Sequence, residues 1–307
     1  MSRHWYFIIN PVSGKGKGIH TWQRVQPLLE ASGVSFNFGI SEYHQHTLTL
    51  ITEAYQKGCR NFIGIGGDGT INEIVNAIFN VQKFSISDPC TISLMPVGTG
   101  NDWVRTHPKT LTPENLISRV RAKQTTFHDV GLLQLKDTQN TRYFINVAGA
   151  GIDGSVAKEL ELLNKSGKKT KVSYVQSMLK ALRQFDAPQT TVKADGRVIY
   201  EGKSLLVASA HGQFFGGGMH ISPAAKADDG NLDITLVKKE SNWVILPQLP
   251  RLFTGAIAKI PFVEKHTFTT VEMINSNAVP VQADGEYIGE STHINFSVIK
   301  RAILVLA

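Results

Sequence analysis

The amino-acid sequence predicts two domains: an α/β domain with an open, mostly parallel sheet over residues 1–127, and a β-rich domain over residues 128–307. In the first part, short apolar runs alternate with segments of helical periodicity, which is typical of a parallel sheet with helices on both faces. In the second part, strand-like runs follow one another with few helices between them. The length of 307 residues also exceeds the ~250 residues at which single hydrophobic cores begin to stop growing.

The first domain contains four predicted strands and three predicted helices. The strands are expected at 6–9, 34–40, 62–65 and 91–95, and the helices at 20–31, 47–57 and 70–78. Gly33 and Gly58 follow the first two helices and are expected to end them.

The second domain is predicted to consist mainly of strands. They are expected at 130–135, 143–148, 190–194, 197–200, 205–209, 232–237, 267–272, 279–283 and 293–298. Asp195-Gly196 is a hairpin signal between two of them. A long helix is expected at 152–184, and a second near 241–258 is limited by Pro247 and Pro250. The last strand either stays in this domain or returns to the first.

The composition favours a cytoplasmic protein. No apolar run approaches the ~18–20 residues of a membrane span, and the sequence enters its first strand without a signal peptide. Cys59 and Cys90 are the only cysteines, so neither a disulfide framework nor a zinc site is expected. The net charge of +7 is compatible with an anionic membrane, nucleic acid or a phosphate-rich substrate. The four tryptophans are expected to be packing residues, and they are Trp5, Trp22, Trp103 and Trp243.

The stretch 61–78 is the one around which the other motifs are arranged. An apolar strand runs into Gly66-Gly67-Asp68-Gly69-Thr70 and restarts as a helix. Glycines at a helix N-terminus leave backbone N–H groups open to phosphate, and the helix dipole favours negative charge. An acid in such a loop suits a divalent cation that accompanies the phosphates, so Asp68 is our candidate to organise Mg-ATP. The alternative is an ordinary tight turn between a strand and a helix.

Two other phosphate motifs are disfavoured. Gly64, Gly66 and Gly69 fit the dinucleotide pattern G-x-G-x-x-G, but the acid expected about 20 residues later is not at the end of a strand. The sequence contains no G-x-x-x-x-G-K-[ST] loop. Similar glycine-containing segments do follow the first and fourth strands, at 10–14 and 96–102. Because ligands bind beyond the carboxyl ends of parallel strands, all three segments are expected to converge on one site.

Several of these motifs together resemble the diacylglycerol kinase catalytic family, which includes soluble bacterial diacylglycerol kinases and the sphingosine and ceramide kinases. The resemblance rests on Asn10-Pro11-Val12-Ser13-Gly14, Gly66-Gly67-Asp68-Gly69-Thr70 with Asn72 and Glu73, Gly98-Thr99-Gly100-Asn101-Asp102, Asp228-Asp229-Gly230 and Asp284-Gly285-Glu286. These motifs cover nearly the whole chain in the family's order. The glycine-aspartate loop is shared with NAD kinases and, more loosely, 6-phosphofructokinases, which implies a first domain of that kind.

The resemblance also implies which residues bind ATP and Mg²⁺. The implied ATP contacts are Asn10, Pro11, Ser13, Gly14, Ser41, Gly66, Gly67, Asp68, Gly69, Thr70, Asn72, Glu73, Thr99, Asn101 and Asp102. Asn101 and Asp102 are also suited to capping a helix. A structural Mg²⁺ is implied at the carboxylate of Asp229 and the backbone carbonyls of Lys226 and Asn231. The alternative is that the acids of this loop bind no metal.

Asp284 and Glu286 are the remaining candidate catalytic residues. They lie two apart in a strand-like segment, so both carboxylates are expected on one face. One would accept the proton of a lipid hydroxyl and the other would hold metal, and the resemblance favours Glu286 as the base. The alternative is a hairpin turn, because Asp-Gly is a common turn pair.

The segment 158–183 combines an apolar helical face with seven basic residues. Such a helix docks on anionic lipid or is simply solvated. Nucleic acid is not an expected partner, because the basic run lacks interleaved aromatic residues.

The function predicted from these observations is an ATP- and Mg²⁺-dependent lipid kinase that converts diacylglycerol to phosphatidate. It would act at the inner face of the membrane as a peripheral cytoplasmic enzyme, and some bacterial relatives imply a homodimer. The alternatives are a kinase for a soluble substrate, as in the NAD kinases, and a non-catalytic regulator that binds nucleotide or lipid.

Overall fold

The computed structural model describes residues 4–43, 45–82, 88–98, 100–107, 110–165 and 171–306. The chain divides into two compact units. The first comprises Met1–Asp129 with Arg301–Ala307, and the second comprises Val130–Lys300. The boundary predicted from the sequence, after residue 127, lies two residues before the one between Asp129 and Val130.

The first unit contains a parallel sheet. Its strands are β1 (Trp5–Ile9), β2 (Phe36–Ile40), β3 (Asn61–Gly66) and β4 (Thr91–Pro96), in the order β4-β3-β1-β2. All three pairings are parallel. Leu304 and Val305, near the end of strand 286–306, pair in parallel with Thr91 and Ile92 of β4. This sheet agrees with the open, parallel arrangement expected from the sequence.

Helices cover both faces of this sheet. They are α1 (Ser13–Ser32), α2 (His46–Gln56), α3 (Asp68–Gln82), α4 (Asp102–Thr106) and α5 (Leu116–Ala122). Phe7 and Ile63 of the sheet pack in one buried cluster with Trp22 of α1 and Leu116 of α5. Because β3 is buried along its whole length, its apolar residues are continuous rather than alternating.

The start of α1 is irregular. Gly14, Lys15 and Gly16 have φ values of +61°, +61° and +90°, so the regular helix begins only after them. Gly33 ends the helix in the left-handed conformation at φ +70°, which confirms its predicted role.

The second unit is built mainly of antiparallel strands. The strands are β5 (Thr125–Leu135), β6 (Asn140–Phe144), β7 (Val147–Gly151), β8 (Gln189–Ala194), β9 (Arg197–Ala210), β10 (Leu232–Lys238), β11 (Val263–Phe268), β12 (Thr270–Ala283) and β13 (Glu286–Leu306). The path of neighbours is β11-β10-β9-β7-β12-β13, while β8 pairs with both β9 and β12 and β6 pairs with β5. Asp195-Gly196 forms the predicted hairpin turn between β8 and β9.

Several predicted strands are wrong in their bounds. The strands expected at 197–200 and 205–209 form the single strand β9, and the strand expected at 279–283 is the end of β12. The strand expected at 143–148 is divided between β6 and β7, because residues 145–147 donate backbone N–H groups to the Asp284 carboxylate. The strand expected at 267–272 runs from β11 into β12. There Asp195 accepts hydrogen bonds from the backbone N–H groups of Thr269 and Thr270 and holds the corner.

The helical segments of the second unit differ from the prediction in continuity. The helix expected at 152–184 comprises α6 (Ile152–Lys165) and α7 (Lys171–Gln184), and residues 166–170 lie outside the described part. The helix expected near 241–258 is instead a series of short turns. These are α8 (Asn242–Ile245), a 3₁₀ turn (Leu246–Gln248), α9 (Arg251–Thr254) and a second 3₁₀ turn (Ala256–Lys259). Pro247 and Pro250 supply no backbone N–H, which prevents one continuous helix.

Three of the four tryptophans are buried and one is exposed. Trp5, Trp22 and Trp103 are buried, as predicted, but Trp243 on α8 is 87% exposed, so its assignment as a packing residue is wrong. Within the described ranges, no helix is long and apolar enough to cross a membrane.

Candidate active site

The loops after β1, β3 and β4 are tied together by backbone hydrogen bonds. The N–H of Asn10, just after β1, donates to the Ile65 carbonyl at 3.0 Å, and the N–H of Val97, just after β4, donates to the Gly66 carbonyl at 2.8 Å. Each loop is therefore held at the carboxyl end of its neighbour's strand. The predicted convergence of these three segments is confirmed.

Glycines allow these loops to approach one another closely. A Cβ atom on Gly14 would lie 1.9 Å from the Val97 carbonyl oxygen. A Cβ on Gly67 would lie 3.5 Å from the Cα of Gly98 and 3.8 Å from the Oγ of Ser13. The three loops thus form one backbone-lined surface at the start of α3, where the first N–H groups of a helix have no partner within the helix.

Asp68 joins two of the loops. Its Oδ2 accepts a hydrogen bond from the Asp102 N–H and its Oδ1 accepts one from the Trp103 N–H, both at 3.1 Å. The carboxylate therefore caps the N-terminus of α4, a position at which negative charge is favourable. Asn101 occupies the preceding cap position at φ +54°, but its amide donates to the Gly98 carbonyl at 2.9 Å instead of capping the helix.

The side chain of Thr70 lies beneath this surface. Thr70 is buried, and its Oγ1 lies 3.4 Å from the Asn10 amide nitrogen, which donates to it. A Cβ on Gly66 would lie only 2.1 Å from the same Oγ1. Thr70 and Asn10 therefore support the loop from below, while Gly69 is exposed on its surface.

Other predicted ATP contacts have different surroundings. Ser41 follows β2 and bonds to the Ile9 carbonyl through its N–H at 2.8 Å. Asn72 is buried within α3 and accepts a hydrogen bond from the Asn76 amide at 3.2 Å. Glu73 accepts one from Thr47 of α2 at 2.6 Å. These two bonds tie Asn72 to a later turn of α3 and Glu73 to α2. Thr99 lies outside the described residues.

In the second unit, Asp284 lies in a two-residue hairpin turn. Ala283 pairs with Glu286 across the turn, and Asp284 and Gly285 have φ values of +48° and +85°. The expectation that strand alternation places the carboxylates of Asp284 and Glu286 on one face is wrong, because the two residues are separated by this turn. The hairpin alternative is the correct description of the backbone.

The Asp284 carboxylate is held by three backbone N–H groups. Its Oδ2 accepts from Ile145 at 2.9 Å, and its Oδ1 accepts from Asn146 and Val147, both also at 2.9 Å. The carboxylate therefore fixes the connection between β6 and β7 against the hairpin turn. On the other side of the turn, Glu286 forms an ion pair with Arg142 of β6.

A cavity of about 90 Å³ lies within the second unit. Most of the residues that line it are apolar, among them Val156, Leu182, Leu206, Phe215, Leu252 and Phe262. Of its described lining residues, Asp153 and Gln248 have polar side chains. The volume is smaller than the ~150 Å³ of an apolar cavity that accepts one benzene ring, so the cavity as observed is narrow.

Asp153, on the first turn of α6, was not predicted from the sequence. Burial raises the pKa of its carboxyl from the ordinary value of 3.8 to about 7. Its Oδ2 accepts a hydrogen bond from the Gln282 amide at 2.9 Å, and Gln282 in turn accepts one from the Gly285 N–H at 2.8 Å. The cavity carboxyl is thus linked to the turn that carries Asp284. An acid two residues after an apolar, glycine-rich strand is the sequence signal that could have indicated it.

The predicted structural metal loop is organised by Asp229. Its Oδ1 accepts the Asn231 N–H at 3.0 Å, and the Asn231 amide donates to the Asp229 carbonyl at 3.1 Å. Asp229 itself is exposed. Within the part of the chain that is described, no three His, Cys, Asp or Glu side chains form a metal-binding group. The predicted set contains only one carboxylate beside the carbonyls of Lys226 and Asn231, so it remains a prediction.

The basic segment 158–183 is described only in part. Lys158 forms an ion pair with Glu290 at 2.8 Å, and Lys180 forms one with Glu159 at 2.7 Å. Lys168 and Lys169 lie outside the described residues.

Comparison with known proteins relates both parts of the chain to lipid kinases. Residues 4–133 match the family described as diacylglycerol kinase catalytic domain, and residues 119–307 match that described as YegS C-terminal NAD kinase beta sandwich-like domain. A diacylglycerol kinase of Staphylococcus haemolyticus is 27% identical over 302 residues, which cover 97% of this chain and 86% of the relative.

Solved structures show the same fold. A diacylglycerol kinase of Bacillus anthracis has a TM-score of 0.72 at 18% identity, covering 99% of this chain and 96% of that chain. An NAD kinase of Archaeoglobus fulgidus, solved in complex with ATP, has a TM-score of 0.52 at 12% identity, covering 99% and 93%. The predicted fold class, an α/β domain related to NAD kinases followed by a β-rich domain, is confirmed.

Proposed function

The chain belongs to the lipid kinase family that combines a diacylglycerol kinase catalytic domain with a YegS C-terminal domain, and on this premise we propose that it phosphorylates diacylglycerol to phosphatidate with Mg-ATP. Family membership implies ATP as the phosphoryl donor. The identity of the lipid and the use of Mg²⁺ are the parts that the proposal adds.

The three converging loops of the first unit support the nucleotide part of the proposal. Gly14, Gly67 and Gly98 leave backbone where side chains would obstruct a phosphate group, and the start of α3 favours negative charge there. Asp68 would supply a carboxylate oxygen to Mg²⁺. Each of its oxygens accepts one N–H bond and retains a second lone pair, so capping α4 and binding a cation are compatible. Bound Mg-ATP supplies the transferable phosphoryl group and neutralises its charge.

The single observation that carries the lipid part is the apolar cavity of the second unit. A lining of Val, Leu and Phe side chains suits a hydrocarbon chain and offers little to a charged dinucleotide. Asp153 places one polar group in this lining, where a hydroxyl or glyceryl oxygen could be recognised. The cavity therefore favours a lipid alcohol over the soluble substrate considered as the alternative.

Glu286 is the proposed base for the lipid hydroxyl. Its ion pair with Arg142 of β6 holds the carboxylate beside the hairpin turn, where a lipid hydroxyl would have to reach it. Asp284 is proposed to act differently, by holding the turn that positions Glu286, since three backbone N–H groups already occupy its oxygens.

The test is transfer of labelled γ-phosphate from Mg-ATP to lipids in mixed micelles. The panel contains diacylglycerol, monoacylglycerol, ceramide, sphingosine and undecaprenol, with NAD as the soluble control. Asp68→Asn and Glu286→Gln are expected to abolish transfer. Glu290→Gln is the matched control, because Glu290 lies on the same strand and also forms an ion pair, with Lys158. It is expected to retain activity.

The outcomes separate the alternatives. Label in diacylglycerol that depends on Asp68 and Glu286 supports the proposal. Label in another lipid would show that the protein is a lipid kinase with that lipid, and not diacylglycerol, as its substrate. Label only in NAD would establish the soluble-substrate alternative. Nucleotide binding without transfer to any acceptor would establish a regulator and remove the catalytic roles.

A further inference from the structure

The series of short turns over residues 242–259, here called the surface segment, exposes large apolar side chains. Trp243 is 87% exposed and Phe253 is 56% exposed, and Val244 and Leu246 are also exposed. Among the described residues, no other stretch of this length presents four exposed large hydrophobic side chains. Large exposed apolar patches mark sites of interaction with a partner or a membrane, and this segment supplies the apolar side chains for one.

The opposite side of the surface segment covers the cavity. Ile245, Leu249, Leu252 and Ile257 line the cavity, and Ile245 and Ile257 are buried. The segment is therefore apolar on both sides, one facing the cavity and one facing solvent. An element of short turns broken by Pro247, Pro250 and Gly255 lacks the uninterrupted hydrogen-bond ladder of a continuous helix, so it can shift more readily.

The charges within the surface segment are positive. Residues 242–259 carry Arg251 and Lys259 and no Asp or Glu, while Glu240 and Glu264 lie just outside the segment beside Lys239 and Lys265. Arg251 and Lys259 are exposed. Tryptophan and phenylalanine beside basic residues are the composition that binds the interfacial layer of an anionic bilayer. The same charges would repel a basic partner.

We propose that the surface segment inserts its outer apolar side into the interfacial layer of an anionic bilayer and so opens the cavity towards the lipid phase. This inference rests on the proposed function in one respect, namely that the cavity receives a lipid chain. A cavity of about 90 Å³ must widen to do so, and the surface segment is the part of its wall that membrane contact would displace. The docking element is thus distinct from the basic segment 158–183, two of whose lysines, Lys158 and Lys180, are engaged in ion pairs.

Tryptophan fluorescence can test the insertion directly. Because Trp5, Trp22 and Trp103 are buried, Trp243 is the one tryptophan that a membrane probe can reach from the surface. The full chain is mixed with phosphatidylcholine vesicles that carry brominated acyl chains, with or without about 30 mol% phosphatidylglycerol. Quenching and a blue shift are expected with the anionic vesicles, and both are expected to disappear in Trp243→Phe.

Vesicle sedimentation supplies the energetic test. Phe253→Ser is expected to lower partitioning to anionic vesicles about tenfold, because it removes one aromatic side chain from the buried apolar area. Val198→Ser is the matched control, since Val198 is also exposed but lies on β9 outside the surface segment. It is expected to leave partitioning unchanged. Binding without quenching of Trp243, or equal losses in Phe253→Ser and Val198→Ser, would overturn the inference.

Kinase activity separates this inference from the proposed function. Phe253→Ser is expected to phosphorylate dispersed dioctanoylglycerol like the wild type but to lose activity on long-chain lipid in vesicles. If the wild type inserts Trp243 into vesicles but phosphorylates no lipid, the proposed function fails and the docking surface stands. If it phosphorylates micellar lipid but does not insert Trp243, the docking surface fails, and a protein becomes the partner of this face.

Discussion

Replacing Asp284 by Ala is expected to release the connection between β6 and β7. In the wild type, the Asp284 carboxylate accepts three backbone N–H bonds of 2.9 Å from residues 145–147. Asp284 also adopts φ +48°, a conformation that Asp and Asn tolerate better than Ala. Alanine removes all three acceptors and adds backbone strain. Asn keeps one acceptor oxygen and the conformational tolerance.

The magnitude follows from counting these interactions. Each lost hydrogen bond of this half-buried carboxylate costs about 1 kcal/mol once water solvates the freed N–H, so three cost about 3 kcal/mol. The left-handed conformation adds about 1 kcal/mol for Ala. The expected destabilisation is about 4 kcal/mol for Asp284→Ala and about 1–2 kcal/mol for Asp284→Asn, which loses one bond.

Hydrogen exchange of the 145–147 amides measures this effect where it arises. Exchange of a peptide covering these residues is expected to accelerate at least about 100-fold in Asp284→Ala, because each 1.4 kcal/mol corresponds to a factor of ten. Asp137→Ala is the control. Asp137 likewise holds a turn, by accepting the Thr292 N–H, but does not contact residues 145–147. Exchange of these amides within threefold of wild type in Asp284→Ala would refute the positioning role. If Asp284→Asn keeps the protection but loses phosphoryl transfer, the charge of Asp284 acts in the reaction itself.

Two further predictions concern a buried acid and the glycine that ends β3. Since the pKa of Asp153 is about 7 when folded and near 3.8 when unfolded, its contribution to stability is fully present below about pH 4 and is lost as pH rises to 7. The loss amounts to at most about 4 kcal/mol. The urea midpoint of Asp153→Asn should therefore fall less between about pH 4 and 7 than that of the wild type. The same dependence of the midpoint on pH in both proteins would contradict the assignment. Gly66→Ala should destabilise the chain by about 1–3 kcal/mol, because the new Cβ would meet Thr70 at 2.1 Å. Gly69→Ala, with no atom within 4 Å of its Cβ, should change urea stability by less than about 0.5 kcal/mol, and equal effects of the two alanines would refute the steric argument.

The arrangement of the nucleotide loops could be predicted from the sequence because it depends on local signals. Glycines that follow short apolar strands, combined with the rule that parallel strands end at one edge, were sufficient to bring Gly14, Gly67 and Gly98 together. The sequence also identified Asp68, but not its bonds to the N–H groups of Asp102 and Trp103. Those bonds join segments 34 and 35 residues apart, which periodicity does not register.

The features of the second unit that were not predicted also depend on contacts between residues far apart in the sequence. Asp153 and its partner Gln282 are separated by 129 residues along the chain. The break between β6 and β7 is imposed by Asp284, which lies as far away in sequence. The exposure of Trp243 could not be read from composition, because a tryptophan contributes the same signal inside a core and on a surface. Prolines that interrupt its segment also remove the helical periodicity that would have shown which side faces out.

The parallel pairing of β13 with β4 has a consequence for biosynthesis. Leu304 and Val305 emerge from the ribosome only after the entire second unit has been made, yet they complete one side of the first unit's sheet. Until then, β4 presents unpaired backbone N–H and C=O groups to the surrounding solution. An unpaired strand edge is open to misdirected pairing, so this edge of β4 is exposed to it until residues 304–305 have been made. The pairing of β13 with β4 can therefore form only after the second unit has been synthesised.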